Sequence, residues 1–138
     1  MALVVPDVGE VRMAKLFVNN LATTGENVVL RLYKTNVTPG NSDTTASYTE
    51  STFTGYAAVT CTSGSWTITG GAPTTVNQTS ATTFTVSGTT SETCYGYFVT
   101  AANSSTLCWA EKFSDGPYTL TNVGDKVIIT LQMTVSAT

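Results

Sequence analysis

Val127-Ile128-Ile129-Thr130-Leu131-Gln132-Met133-Thr134-Val135 alternates between two faces along its whole length. Val127, Ile129, Leu131, Met133 and Val135 share one face; Ile128, Thr130, Gln132 and Thr134 share the other. A period of two is the signature of a strand with one side on a core. The chain upstream reads in the same way. Val28 to Lys34, Tyr56 to Cys61, Ser65 to Thr69, Cys94 to Ala101 and Leu107 to Phe113 are expected strands. Thr74 to Gln78 and Thr82 to Ser87 are weaker ones. Turn residues separate them at Gly70-Gly71, Asn103-Ser104-Ser105, Gly116-Pro117-Tyr118 and Gly124-Asp125. Many short strands with closely spaced turns predict a mainly β protein, an antiparallel β-sandwich or jelly-roll-like fold.

One segment has a different period. Asp7 is placed to cap a helix over 8–19, with Val8, Val11, Met13, Leu16, Phe17 and Val18 on a broad apolar stripe. A helix this short is held by packing rather than by its own propensity. The expected organisation is a single domain over 1–138. It has an extended apolar arm (1–7), the short N-terminal helix (8–19) and a sheet region (28–135).

Composition narrows the function. Roughly a fifth of the residues are threonine, which is β-branched and suits a pleated, half-buried surface. Charged residues make up 11% of the chain, against a usual figure near 25%. There is no histidine, the side chain most used for proton transfer and metal binding near neutral pH. The net charge of −3 and the six scattered basic residues argue against nucleic acid as a partner. No stretch has the length and apolarity of a membrane span. Met1 to Asp7 lacks a basic start and is interrupted by Pro6-Asp7, so no signal peptide is expected and synthesis is placed in a cytoplasm.

The residues that carry chemistry form no catalytic constellation. No serine sits in a Gly-x-Ser-x-Gly elbow, and no histidine base exists for one. Three cysteines, Cys61, Cys94 and Cys108, are read as small buried hydrophobes and not as zinc ligands. A hairpin turning near Asn103-Ser104 sets Cys108 opposite Val99 and Cys94 opposite Phe113, which leaves no disulfide. Glu111 lies inside a strand. It reads as an ion-pairing or edge charge first and as half of a glycosidase pair second. Asp115-Gly116 reads as turn chemistry before a calcium site. Tyr95, Tyr97, Phe98, Trp109, Phe113 and Tyr118 cluster along the chain. In the expected register Phe98 faces Trp109, with Tyr95 and Tyr97 on the opposite face. Packing is the first reading of these rings, and an exposed sugar platform is the second. The expectation is a non-enzyme with no catalytic residue, cofactor or metal.

Several motifs go together. They are Met1-Ala2-Leu3-Val4-Val5-Pro6-Asp7-Val8-Gly9-Glu10, Leu30-Arg31-Leu32-Tyr33-Lys34-Thr35-Asn36-Val37-Thr38-Pro39, Tyr48-Thr49-Glu50, Phe53-Thr54-Gly55-Tyr56, Tyr95-Gly96-Tyr97-Phe98 and Trp109-Ala110-Glu111-Lys112-Phe113. As a set they resemble small structural proteins of tailed-bacteriophage virions, of the capsid decoration or cement type. The resemblance spans most of the chain and is least distinctive over Thr62 to Ser91. It implies a virion location and a partner in the major capsid protein or another virion protein. A homo-oligomer, with a trimer favoured, and reinforcement of the capsid shell go with it. A tail or head–tail connector component and a carbohydrate-binding module for host attachment are the alternative functions. It transfers no functional residues.

Two elements are expected to bind partners. Leu3, Val4, Val5 and Pro6 form an apolar arm that either meets a partner or tucks against its own sheet as an edge strand. Thr35 to Thr52 is a long, almost uncharged loop, read as disordered or ordered by a partner. Tyr48 is its expected anchor, packed on a neighbouring subunit or on its own sheet.

Overall fold

The computed structural model describes residues 4–9, 27–70 and 74–135. Eleven strands run in chain order: β1 (Val28–Tyr33), β2 (Val59–Cys61), β3 (Trp66–Thr69), β4 (Thr74–Gln78), β5 (Thr82–Thr85), β6 (Glu92–Cys94), β7 (Gly96–Ala101), β8 (Leu107–Lys112), β9 (Tyr118–Leu120), β10 (Lys126–Ile129) and β11 (Gln132–Val135). The protein is mainly β and its pairings are antiparallel. Asp7–Gly9 are helical, and the remainder of the helix expected over 8–19 lies outside the described residues.

A four-stranded sheet, β2-β1-β7-β8, forms the centre. Alternation sends Leu30, Leu32, Tyr97 and Val99 to one face. There they meet Phe84 of β5, Leu120 of β9, and Val127 and Ile129 of β10 in one buried cluster. Tyr33, Phe98, Leu107 and Ala110 point to the other face and form a second cluster closed by Tyr48. Because both faces are covered, all six residues of β7 are buried.

The opening stretch keeps its alternation but not its continuity. Val127, Ile129 and Leu131 are buried while Ile128, Thr130 and Gln132 are exposed. Yet β10 pairs with β5, whereas β11 pairs with β4 in a different sheet. The chain changes sheets at Thr130-Leu131, a corner of the kind that lets one strand serve two layers. The buried Leu131 accompanies Gln78 at that corner: Leu131 N donates to Gln78 Oε1 at 3.3 Å, and Gln78 N donates to the Leu131 carbonyl at 2.9 Å.

The central hairpin also departs from its expected register. Val99 pairs with Trp109 and Thr100 with Leu107, so Cys108 is an extra residue between them. This bulge reverses the expected sides. Trp109 joins Tyr97 and Val99 in the first cluster, and Phe98 lies opposite Ala110 in the second. Cys94 sits in a separate short strand opposite Tyr118, not opposite Phe113. Cys61, Cys94 and Cys108 are all buried and carry thiols, with no disulfide among them. Burial pushes the Cys61 and Cys94 thiols up from their ordinary range.

The segment 35–52 is ordered by its own chain, against the expectation of disorder or ordering by a partner. Lys34 N donates to the Thr49 carbonyl at 2.9 Å, Ser51 N to the Leu32 carbonyl at 3.0 Å, and Thr49 N to Thr35 Oγ1 at 2.9 Å. Its end is clamped by Glu92, which accepts Lys34 Nζ at 2.9 Å, Thr52 N at 3.0 Å and Thr52 Oγ1 at 3.0 Å. Burial works against the charged carboxylate. The Lys34 ammonium and the Thr52 donors outweigh it and hold Glu92 below the usual carboxylate range. A depressed folded-state value means that this stabilisation is complete above the unfolded-state pKa and is lost as pH falls through the lower, folded value. Glu92→Gln should therefore cost about 1–2 kcal/mol near neutral pH, the scale of a partly exposed charge-assisted hydrogen bond. The difference from the parent should close in acid. Urea midpoints from pH 7 down to about pH 3 read this directly; a gap that stays constant with pH refutes the clamp.

Candidate functional site

The three-stranded sheet β11-β4-β3 differs from the rest of the protein. Its side chains at 66–69, 75–78 and 132–134 are all half-buried or exposed. Cross-strand pairing places Ile68 opposite Val76, and Val76 opposite Met133. These three make an apolar row on one face, with Ile68 70% exposed. Trp66 and Gln78 share that face by alternation, and they anchor its inner end. Trp66 packs on the first cluster, while Gln78 Nε2 donates to Thr82 Oγ1 at 3.1 Å. The row thus continues the core surface outward, from half-buried Val76 and Met133 to exposed Ile68.

The sheet is also without charge. No charged residue occurs between Glu50 and Glu92, and none follows Lys126. Among the described residues β3 and β11 each have one ladder partner, β4. Exposed edges are ordinarily guarded by charge, proline or a bulge, and neither β3 nor β11 holds a charge or a proline.

The expected partner-binding residues lie elsewhere. Val4 N donates to the Ala110 carbonyl at 3.1 Å and Ala110 N donates to the Val4 carbonyl at 3.0 Å. This bridge lies on the outer edge of β8. Val5 packs against the first cluster and Pro6 is fully buried. Of the two readings of the arm, these contacts match the edge strand on its own sheet; Leu3 lies outside the described residues. Gly9 helps the chain stay close, since a Cβ there would run into the Cys108 carbonyl. Tyr48 packs on its own sheet as well. Its ring stacks on Phe98 at 5.3 Å and tilts against Tyr33 at 5.0 Å, and its hydroxyl donates to Asp43 Oδ2 at 2.7 Å. Burial first, then Asp43, pushes the Tyr48 hydroxyl well up, so it remains a donor.

A second surface feature is a cleft of about 260 Å³ between the end of β8, the turn into β9, and β10. Glu111 faces into it from the Tyr97↔Glu111 pair and accepts the Tyr97 hydroxyl at 2.6 Å. Phe113 and Tyr118 meet edge to face at 5.0 Å, and Tyr118 donates to Asp115 Oδ2 at 2.5 Å. Gly116 lies against Phe113, where a Cβ would come within 2.8 Å of Phe113 Cβ. Ile128, 62% exposed, stands on the β10 side. The first reading of Glu111 is an ion-pairing or edge charge: β8 ends the four-stranded order, and the Glu111 partner among the described residues is the Tyr97 hydroxyl. The neighbouring Lys112 ammonium is held by Asn36 Oδ1 at 2.8 Å and lies over the Tyr95 ring. Sequence spacing shows the aromatic cluster, but neither Ile128 nor the β10 wall is signalled by it. Among the described residues no three metal-ligating side chains gather. No family model, curated protein or solved structure matches this chain.

Proposed function

We propose that this chain is a structural component of a tailed-bacteriophage virion, a decoration or cement protein that binds the major capsid shell and reinforces it. The observation that carries the reading is the uncharged β3–β4–β11 sheet, whose apolar row Ile68–Val76–Met133 is half-buried at Val76 and Met133 and exposed at Ile68. An exposed sheet whose edges lack charge and proline is a hazard for a free monomer, and assembly removes it. A homotrimer in which neighbouring copies cover this sheet is the arrangement we favour. The sandwich or jelly-roll-like description belongs with this reading, as does the resemblance of the motif set. A tail or head–tail connector component would make the same demand on surfaces and differs in copy number. No catalytic role is proposed, because the chain has no histidine and, among the described residues, Glu92, Glu111 and Asp115 are engaged by a loop clamp and by tyrosine hydroxyls.

Quantitative mass spectrometry of particles purified from the strain that encodes the chain tests the proposal. A decoration protein is expected at on the order of hundreds of copies per particle, as the symmetry of a shell demands. A dozen or fewer would point to the connector reading instead. Absence from the particle overturns both. Ile68→Lys should fold normally yet be depleted from particles, since it places a charge in the middle of the apolar row.

A further inference from the structure

We infer that the cleft between β8, β9 and β10 is a binding site for one ring of a neutral saccharide. This inference does not depend on the virion reading. The cleft has two kinds of wall. One is apolar and ring-lined: Phe113 and Tyr118 meet at 63°, Tyr97 lies 6.4 Å from Phe113, and Ile128 is exposed opposite. The other is made of acceptors. Among the described residues Glu111 and Asp115 each take one tyrosine hydroxyl. An ionised carboxylate offers about four acceptor positions, so each keeps capacity for incoming donors. The tyrosine hydroxyls hold the two carboxylates in place. Burial and then Glu111 push the Tyr97 hydroxyl well up, and Asp115 and then burial push that of Tyr118 up, so both remain protonated as donors.

A pyranose has the matching division: a face of C–H groups that lies against rings and an equator of hydroxyls that donate to carboxylates. The size agrees. At about 260 Å³ the cleft falls just below the range for drug-sized ligands, which suits one sugar ring and not a longer chain. The charge selects further. The salt bridges of the described residues join Arg31 to Glu50 and Lys34 to Glu92; Lys112 also lines the cleft, with its ammonium bonded to Asn36 Oδ1 at 2.8 Å, so among the described residues no salt bridge reaches Glu111 or Asp115. An acidic sugar would meet two carboxylates against one ammonium already bonded to Asn36, and be repelled.

The test is a titration of the full chain followed by backbone amide NMR. The probes are methyl glucoside, methyl galactoside, N-acetylglucosamine and rhamnose, each to about 50 mM, with glucuronic acid and arginine methyl ester as charged probes. At least one neutral sugar should shift amides of Glu111 to Tyr118 and Ile128 to Thr130 saturably. Glucuronic acid should bind about tenfold more weakly than that sugar. Tyr118→Ala should weaken the sugar about tenfold by removing one ring. Should that variant misfold, Asp115→Asn, in an exposed turn, should weaken it as well. The inference fails if none of the neutral sugars shifts these amides, if shifts fall elsewhere, or if both variants bind as the parent does. It also fails if arginine methyl ester alone occupies the cleft, since the site would then serve a basic protein partner.

Discussion

Gly96→Ala should destabilise the protein by about 3 kcal/mol, the upper range for inserting one methyl group into a packed core. Gly96 opens β7, opposite Lys112 of β8. A Cβ at this position would overlap the Glu111 carbonyl and the Tyr33 hydroxyl, and would lie 2.6 Å from Tyr33 Cζ. Neither neighbour yields easily. The Glu111 carbonyl is ladder backbone, and the Tyr33 ring is fully buried under Tyr48. Moving Tyr33 also disturbs the donation of its hydroxyl to the Val37 carbonyl at 3.4 Å. Chemical denaturation reads the loss as a lower midpoint at unchanged slope. Gly64→Ala is the control, because nothing lies within 4 Å of a Cβ there, and it should stay within about 0.5 kcal/mol of the parent. Equal costs at the two positions would contradict the packing around Gly96.

Phe98→Ala should cost about 3–5 kcal/mol, as expected for an aromatic ring removed from a core. Its effect should also be directional. Phe98 is 1% exposed and is the platform on which Tyr48 stacks. Without it the second cluster has a hole directly beneath the segment 35–52. The backbone bonds at the ends of that segment, from Lys34 and Ser51, remain. The middle, around Asp43 and Tyr48, loses its support. Limited digestion with chymotrypsin, which cleaves after tyrosine, should cut the variant first at Tyr48 under conditions where the rest stays folded. The parent should resist there even as an isolated monomer. Cleavage of the parent at Tyr48 as fast as the variant would show that the stack does not hold the segment.

Both results rest on contacts whose partners are far apart in the chain, and this separates what was legible in the sequence from what was not. Alternation along 127–135, the β-branched bias and the turn residues determined that the protein is mainly β, because strand periodicity is a property of adjacent residues. They also determined which side chains of that stretch are buried: Val127, Ile129 and Leu131 inside, Ile128 and Thr130 outside. The burial of three thiols and the packing role of Tyr48 were equally readable, since a small apolar thiol and a lone ring in a polar loop have few other places to go. Tertiary structure alone decided which sheet each piece joins. The break at Thr130-Leu131 leaves the alternation intact and so leaves no local trace. The bulge at Cys108 is set by how β8 meets β7, and a single extra residue moves Phe98 and Trp109 to opposite faces. The ordering of 35–52 depends on Phe98 and Glu92, which lie 40 residues or more beyond its end. The cleft follows the same rule. Its rings were visible as a cluster between Tyr95 and Tyr118. Its β10 wall exists only because the chain returns after Lys126 to lie beside the end of β8.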